Sequence, residues 1–515
     1  MAIHYTLVGG HVFKSKSLLL FFLIWAIPIG VFAIHFCNFS NFISTLINEA
    51  TLKMTLFTLY QAGLSTLIAL GIAILPAIYV SFNQNFLTKL LKSTLFIPFF
   101  FPVISATTTF ILIGHFPIFQ NLNFLFSLKA IIVANVFFNA PIFIYYIGET
   151  LSKTPRTLQD LAHIDGTTQT LFFRKILLPL ATPSLFRAAI LCFAYSFTNF
   201  AIILNLGGLK FSTLEVSIAT TLLASYNFST AFTYGILQLF ILSLIFLLLP
   251  KPNGIELELE QKIMLKTPLY IWVVSIIFCI FEFSIVVLSL LLAFFNFYTN
   301  SFSIMPLLSL FSSNLNSQYP VILSFIISLI LSFIAALLVI VLVYFLIKTR
   351  NRYTHFLLFS TLGISNAFLS ICLIYLNVLY SIPVSPLLLM GYIIIATPIA
   401  YAFLSPHFET FPQNIIESAS LSGASRWQTF FYIEWPLLKP LFMSTLLQIF
   451  TIIFGEFTLT YTMQIYSELP TLPITGYILS SGHNLSGASA LSGLSIIFIV
   501  CVYFISLHIS NRKNY

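Results

Sequence analysis

Charge is what this chain has least of. Only 7% of its 515 residues are Asp, Glu, Lys or Arg, against about 25% in a soluble globular domain. With 59% hydrophobic residues and a mean hydropathy of +1.02, it has too little polar surface to face water, so lipid is its solvent. Cysteine is scarce as well. Cys37, Cys192, Cys279, Cys372 and Cys501 stand far apart in or beside apolar runs, with neither metal-ligand nor redox spacing. The nine histidines include no pair four residues apart, so no metal site is read from them. A G-x-x-x-x-G-K-[ST] phosphate loop is missing, which excludes the usual way of binding ATP. No nucleophile–base cluster or pair of carboxylates supports an enzyme working in the membrane.

Long apolar runs are what is there. They fall near 18–36, 54–81, 94–114, 129–148, 184–206, 231–249, 269–295, 320–347, 356–376, 386–404, 441–463 and 487–508. Twelve membrane-spanning helices are therefore expected, because a segment in lipid must satisfy its own backbone polar groups. The fold class is all-α, polytopic. The run after Lys14 and Lys16 is long enough to span and lacks a small-residue cleavage site, so it reads as a retained first span rather than a signal peptide.

Lysine and arginine set the orientation. With the N-terminus in the cytoplasm, 19 of the 22 basic residues fall on the inside; only Lys53, Lys129 and Lys210 do not. Both termini are then cytoplasmic. The net charge of +8 is accounted for by this bias, and no nucleic-acid partner is needed.

Two loops on that inner side align without a gap. "DLAHIDGTTQTLFFRKILLP" at 160–179 matches "ESASLSGASRWQTFFYIEWP" at 417–436. Asp160 pairs with Glu417, Ala162 with Ala419, Gly166 with Gly423, Ile176 with Ile433 and Pro179 with Pro436, each pair 257 residues apart. The same offset relates Pro141-Ile142 to Pro398-Ile399 and Asn199-Phe200 to Glu456-Phe457, while "STLEV" at 212–216 resembles "PTLPI" at 470–474 with one residue more. The chain thus reads as two tandem six-span units, 1–250 and 269–515, joined by a charged linker at 251–268. An even number of spans gives both units the same orientation, related by an axis along the membrane normal. Within each loop, glycine lets the chain turn or a partner backbone come close, and proline suits the first turn of the next span. Trp427, Phe430 and Phe431 in one loop, and Phe172, Phe173 and Ile176 in the other, form an apolar face that wants a partner.

The pattern E-A-A, three residues, G, nine residues, I-x-L-P resembles the loop signature of membrane permeases in bacterial ATP-driven, binding-protein-dependent importers. The departures are Asp160 for Glu, Leu161 and Ser418 for the middle Ala, and Trp435 for Leu. The resemblance implies a multi-pass permease of the bacterial inner membrane. Its two loops would be coupling helices docked on a cytoplasmic ATPase dimer, and a solute-binding protein would deliver substrate to the outer face, over loops such as 207–230 and 464–486. ATP is then used by the partner, and no cofactor is bound by this chain. Fused two-half permeases are typical of ferric-iron and thiamine importers. "ANVFFNAPI", "LCFAYSFTNFAIILNLGGLKFSTLEVSIATTLL" and "TIIFGEFTLTYTMQIYSELPTLPITGYI" are most similar to the thiamine permease, with ferric iron the alternative.

Asn199, Phe200, Glu456 and Phe457 are the candidate pathway residues. Glu456 reads either as a polar residue hydrogen-bonded between helices or as a substrate contact. Near Phe457 and Tyr461 it could attract a cationic solute such as thiamine. Glu282 is the other acid inside a span. It could be structural or, in the rival class of ion-coupled secondary transporters, an ion site.

Overall fold

The computed structural model describes residues 5–95, 97–248, 267–348, 357–409 and 413–511. Of the expected linker 251–268, only 267 and 268 lie among them. The protein is an all-α polytopic membrane protein. Ten of its described helices are long and apolar enough to cross a membrane, and one further pair of helices meets at a 93° bend.

In chain order the first elements are α1 (Tyr5–Phe36), α2 (Glu49–Phe82), α3 (Val103–Gly114), α4 (Leu128–Ser152), α5 (Arg156–Ile164), α6 (Leu178–Phe197), α7 (Leu214–Leu223) and α8 (Phe228–Leu247). There follow α9 (Leu269–Leu292), α10 (Val321–Ile347), α11 (Asn366–Tyr380), α12 (Val384–Glu409), α13 (Gln413–Leu421), α14 (Trp435–Phe454), α15 (Leu472–Ser481) and α16 (Leu485–Asn511).

Four expected spans are not single helices. The run 94–114 breaks at Pro102, which N-caps α3 after the four-residue helix Ile97–Phe100. A proline there removes a backbone donor and cannot continue the preceding turn. The run 356–376 breaks at the 93° bend between Leu357–Gly363 and α11. Ser365 caps α11 there, its Oγ accepting from Phe368 N at 3.0 Å. The runs 184–206 and 441–463 break after Phe197 and Phe454, ahead of Asn199 and Glu456, and their helices begin earlier than the apolar runs suggest, because continuous helical stretches cover Phe173–Phe197 and Trp427–Phe454.

Packing follows membrane rules, with small residues where helices touch. α2 packs on α4, and both pack on α6. Along its inner face α2 buries Ala62, Ser65, Ala69, Ala73 and Ala77 at helical spacing. A side chain at Gly148 of α4 would meet Ala77 O at 3.7 Å, and Ser81 Oγ donates to Gly148 O at 3.4 Å. α10, α12 and α14 form the corresponding trio, with Ser324, Ser328, Ser332 and Ala335 buried on α10. The opposite face of α10 exposes Ile326, Ile330, Phe333, Leu337 and Val341. Such a stripe would aggregate in water and is at home in lipid.

The first helix of each repeat packs on the other repeat. α1 lies against α10 and α11, and α9 lies against α2 and α3. One apolar cluster therefore joins residues from both ends of the chain, including Phe32, Phe137, Phe200, Ile285, Phe368 and Phe457.

Candidate functional site

The paired loops fold alike, residue for residue. α5 ends at Ile164 and α13 at Leu421, again 257 residues apart. Each helix closes with the same two bonds. Gly166 N donates to His163 O at 3.0 Å and Thr167 N to Ala162 O at 2.9 Å; Gly423 N donates to Ser420 O at 3.1 Å and Ala424 N to Ala419 O at 3.0 Å. This ending needs a left-handed residue. Gly166 has φ +70 and Gly423 φ +81. A side chain on either would meet nothing within 4 Å. Of the two reasons for glycine offered by the sequence, backbone conformation is the one that operates within this chain.

Short helices follow, Gln169–Phe172 and Arg426–Thr429, and then one π-helical turn in each loop, Phe173–Leu177 and Phe430–Glu434. Leu178 N bonds Phe173 O, and Trp435 N bonds Phe430 O. Pro179 and Pro436 explain the widened turn. A proline has no N–H, and its ring crowds the carbonyl four residues back, so the ladder slips by one residue just ahead of it. The prolines thus stand in the first turn of α6 and α14, as expected, but the helical path runs through them.

The signature residues are distributed as follows. Asp160 is exposed and lies 3.9 Å from Arg156, one helical turn away. Glu417 is exposed. Ala162 is buried and Ala419 half-buried; Ile176 and Ile433 are half-buried, and Pro179 and Pro436 are exposed. The expected aromatic faces need correction. Phe172 is buried in the core of the first repeat and Phe173 packs against that core. Phe430 turns inward, its ring 5.0 Å from that of Tyr344. Trp427 and Phe431 are exposed as expected, joined by Leu421 and Tyr432, whereas on the first loop the exposed apolar residues include Leu161, Ile164 and Leu171. The rings of Trp427 and Phe431 stack at 6.1 Å. Inward and outward positions differ by a fraction of a turn, so helical spacing alone does not say which side of each short helix meets the core.

The four pathway candidates come together at the seam between repeats. Phe200 and Phe457 stack on each other at 6.2 Å. Tyr461 packs on both, at 5.5 and 5.0 Å, and Tyr477 packs on Phe457 at 5.3 Å. Asn199 and Glu456 share one local task. Asn199 Oδ1 accepts from Ile202 N at 3.1 Å, and both Glu456 carboxylate oxygens accept from Leu459 N at 3.1 Å. Each thereby satisfies a backbone donor at the start of the next short helical segment. Asn199 also donates to Asn135 Oδ1 at 3.3 Å. Asn135 in turn donates to Gln61 Oε1 and Ser65 Oγ, and Gln61 donates to Ser196 O at 2.8 Å. This network ties α2, α4 and α6 together. In the other repeat Tyr392 and Ala396 stand where Asn135 and Asn139 do.

One acid at this seam escapes a reading by spans. Glu215, in the short helix α7, is fully buried. It accepts from Gln238 Nε2 at 2.6 Å and from Ala367 N of α11 at 3.1 Å. It therefore caps a helix of the other repeat. The sequence shows it only within "STLEV", outside every long apolar run, and its partner lies 152 residues away. Glu282 of α9 is buried, and among the described residues neither of its carboxylate oxygens has a hydrogen-bond partner.

Comparison with known proteins finds a family match over part of the chain. Residues 69–251 match the family of binding-protein-dependent transport system inner membrane components. The matched region holds α4, the first loop element, the α6–α7 seam and α8. Several transport permeases are similar over parts of their length. The xylose/arabinose import permease of Haloferax volcanii is 24% identical over 128 residues, covering 25% of this chain and 41% of that protein. The trehalose/maltose transport permease of Thermococcus litoralis is 29% identical over 140 residues, 27% and 48% of the two chains. The galactooligosaccharides transport permease of Bacillus subtilis is 31% identical over 164 residues, 31% and 50%. The chain spans about half the length of the curated relatives it matches.

Proposed function

We propose that this chain is the membrane permease of an ATP-driven, binding-protein-dependent importer, with two tandem six-span units forming one pathway. The twin loop elements carry the reading. Two helix endings with glycine in the left-handed conformation, each followed by a π turn and an exposed apolar patch, recur at one offset. Each element is a surface on which one subunit of a cytoplasmic ATPase dimer docks. ATP-driven closure of that dimer moves the two elements together and rocks the units about the Phe200–Phe457 seam. A solute-binding protein loads the opposite face. Both termini lie in the cytoplasm, which follows from the distribution of lysine and arginine.

For the substrate we propose a small solute, with thiamine first on the sequence resemblance. Its positive charge and aromatic rings suit Glu456 beside Phe457 and Tyr461. Ferric iron is the alternative within that resemblance. The sugar permeases named above make a sugar the competing class.

Reconstitution in liposomes tests the mechanism. Uptake is expected only with the ATPase, ATP and the binding protein. Uptake by the purified chain alone, or collapse of uptake by a protonophore while ATP is maintained, overturns the proposal in favour of an ion-coupled transporter. Unpartnered Glu282 is the observation that favours that rival. The ligand held by the binding protein tests the substrate: a sugar or ferric iron there rejects thiamine and leaves the importer standing.

A further inference from the structure

Two positions buried in both loop elements differ: Phe172 stands opposite Thr429, and the change that introduces a charge is at the variable residue between Ile and the residue before Pro. In the first it is Leu177, fully buried within an apolar cluster with Leu151, Phe172 and Ala181. In the second it is Glu434, 3% exposed. Its carboxylate accepts from Lys348 Nζ at 2.7 Å on one oxygen and 2.8 Å on the other, and from Tyr344 OH at 2.7 Å. The Lys348 ammonium also sits 4.8 Å from the centre of the Tyr344 ring. Lys348 is the C-cap of α10, so the cluster pins the second π turn to the loop-side end of that helix. The equivalent end of α2 is wired differently. Tyr79 accepts from Asn85 Nδ2, and Asn83, the C-cap, donates to Tyr79 O and Thr267 Oγ1. None of these three bonds reaches the first loop element.

We infer that Glu434 is a positioning residue for coupling: with Lys348 and Tyr344 it clamps the second loop element to α10, so the two elements transmit motion unequally. This rests on the permease reading. Charge-assisted bonds to a buried carboxylate are short, directional and costly to break singly. A displacement of the second element therefore carries the end of α10 with it, and with α10 the packed helices α12, α14 and α1. Leu177 makes only apolar contacts, which tolerate sliding because they have no preferred direction. The second element is the stiff lever and the first the compliant one.

The experiment uses the full complex with its ATPase and binding protein, measuring solute uptake and ATP hydrolysis in parallel. Glu434→Leu, which installs the first element's residue, is expected to lower uptake per ATP about tenfold, the size of a typical coupling term. Hydrolysis should stay within about twofold of wild type. The charge swap Glu434→Lys with Lys348→Glu is expected to restore the ratio, whereas Leu177→Met leaves it unchanged. If Glu434→Leu does not assemble, Glu434→Gln decides on the same ratio. An unchanged ratio, or hydrolysis and uptake falling together in an assembled complex, overturns the clamp. Wild type without ATP-dependent uptake fails the permease reading, and the clamp falls with it.

Discussion

Glu215 places a carboxylate with no exposed surface between Gln238 and the backbone N–H of Ala367. Removing it leaves two buried donors unpaired, which costs about 2 kcal/mol or more. Glu215→Ala should lower the unfolding midpoint in detergent clearly, whereas Glu215→Gln, which keeps acceptor oxygen at the site, should recover most of the loss. The glycines make a sharper case for function. Proline fixes φ near about −65°, and Gly423 sits at +81. Gly423→Pro should abolish solute uptake while ATP hydrolysis by the complex persists; retained uptake would remove the second element from the coupling path. These two residues differ in how much the sequence reveals. Gly166 and Gly423 are legible because a left-handed helix ending is a local requirement that glycine meets at little steric cost, and the repeat displays it twice. Glu215 is illegible because its reason for being there is a helix terminus contributed by the other half of the chain.

Among the elements, the long spans follow from apolar length alone, since lipid leaves the backbone no other partner. The breaks do not. A run such as 94–114 has the composition of a span, and only the positions of Pro98 and Pro102 divide it into two helices. The bend before α11 depends on Ser365 and on the cap that Glu215 supplies from α7, a tertiary cause invisible in hydropathy. The aromatic seam is half legible. The repeat brings Phe200 and Phe457 into correspondence, but not into contact. Their stacking supports a prediction for this seam, which opens on the proposed function. With Cys37, Cys192, Cys279, Cys372 and Cys501 replaced, cysteines at 200 and 457 joined by a short bifunctional thiol reagent should stop transport, and a cleavable reagent should allow it to resume. Uptake that continues with the two positions joined would mean that solute does not pass between them.

At the scale of the whole molecule, the exchange of first helices decides what counts as a stable piece. α1 finds most of its packing surface on α10 and α11, with a smaller part on α8 of its own repeat, and α9 packs on α2 and α3 as well as on its own α16. Fragments 1–250 and 269–515 expressed separately should each be degraded in the membrane, and coexpressed they should copurify. Stable accumulation of either fragment alone would contradict the exchange. The arrangement also bears on how the protein is made. α1 leaves the ribosome long before its seat exists, because α10 begins at Val321 and α1 ends at Phe36. At about 5–20 residues per second, that first helix waits roughly 15–60 s in the bilayer for α10, with Phe228 and Phe232 of α8 the part of its seat that arrives earlier. Its birth order thus makes the nascent chain a client for whatever membrane chaperone or insertase can shelter an orphan helix, and any delay in translating the second half extends the time during which quality control can seize the first.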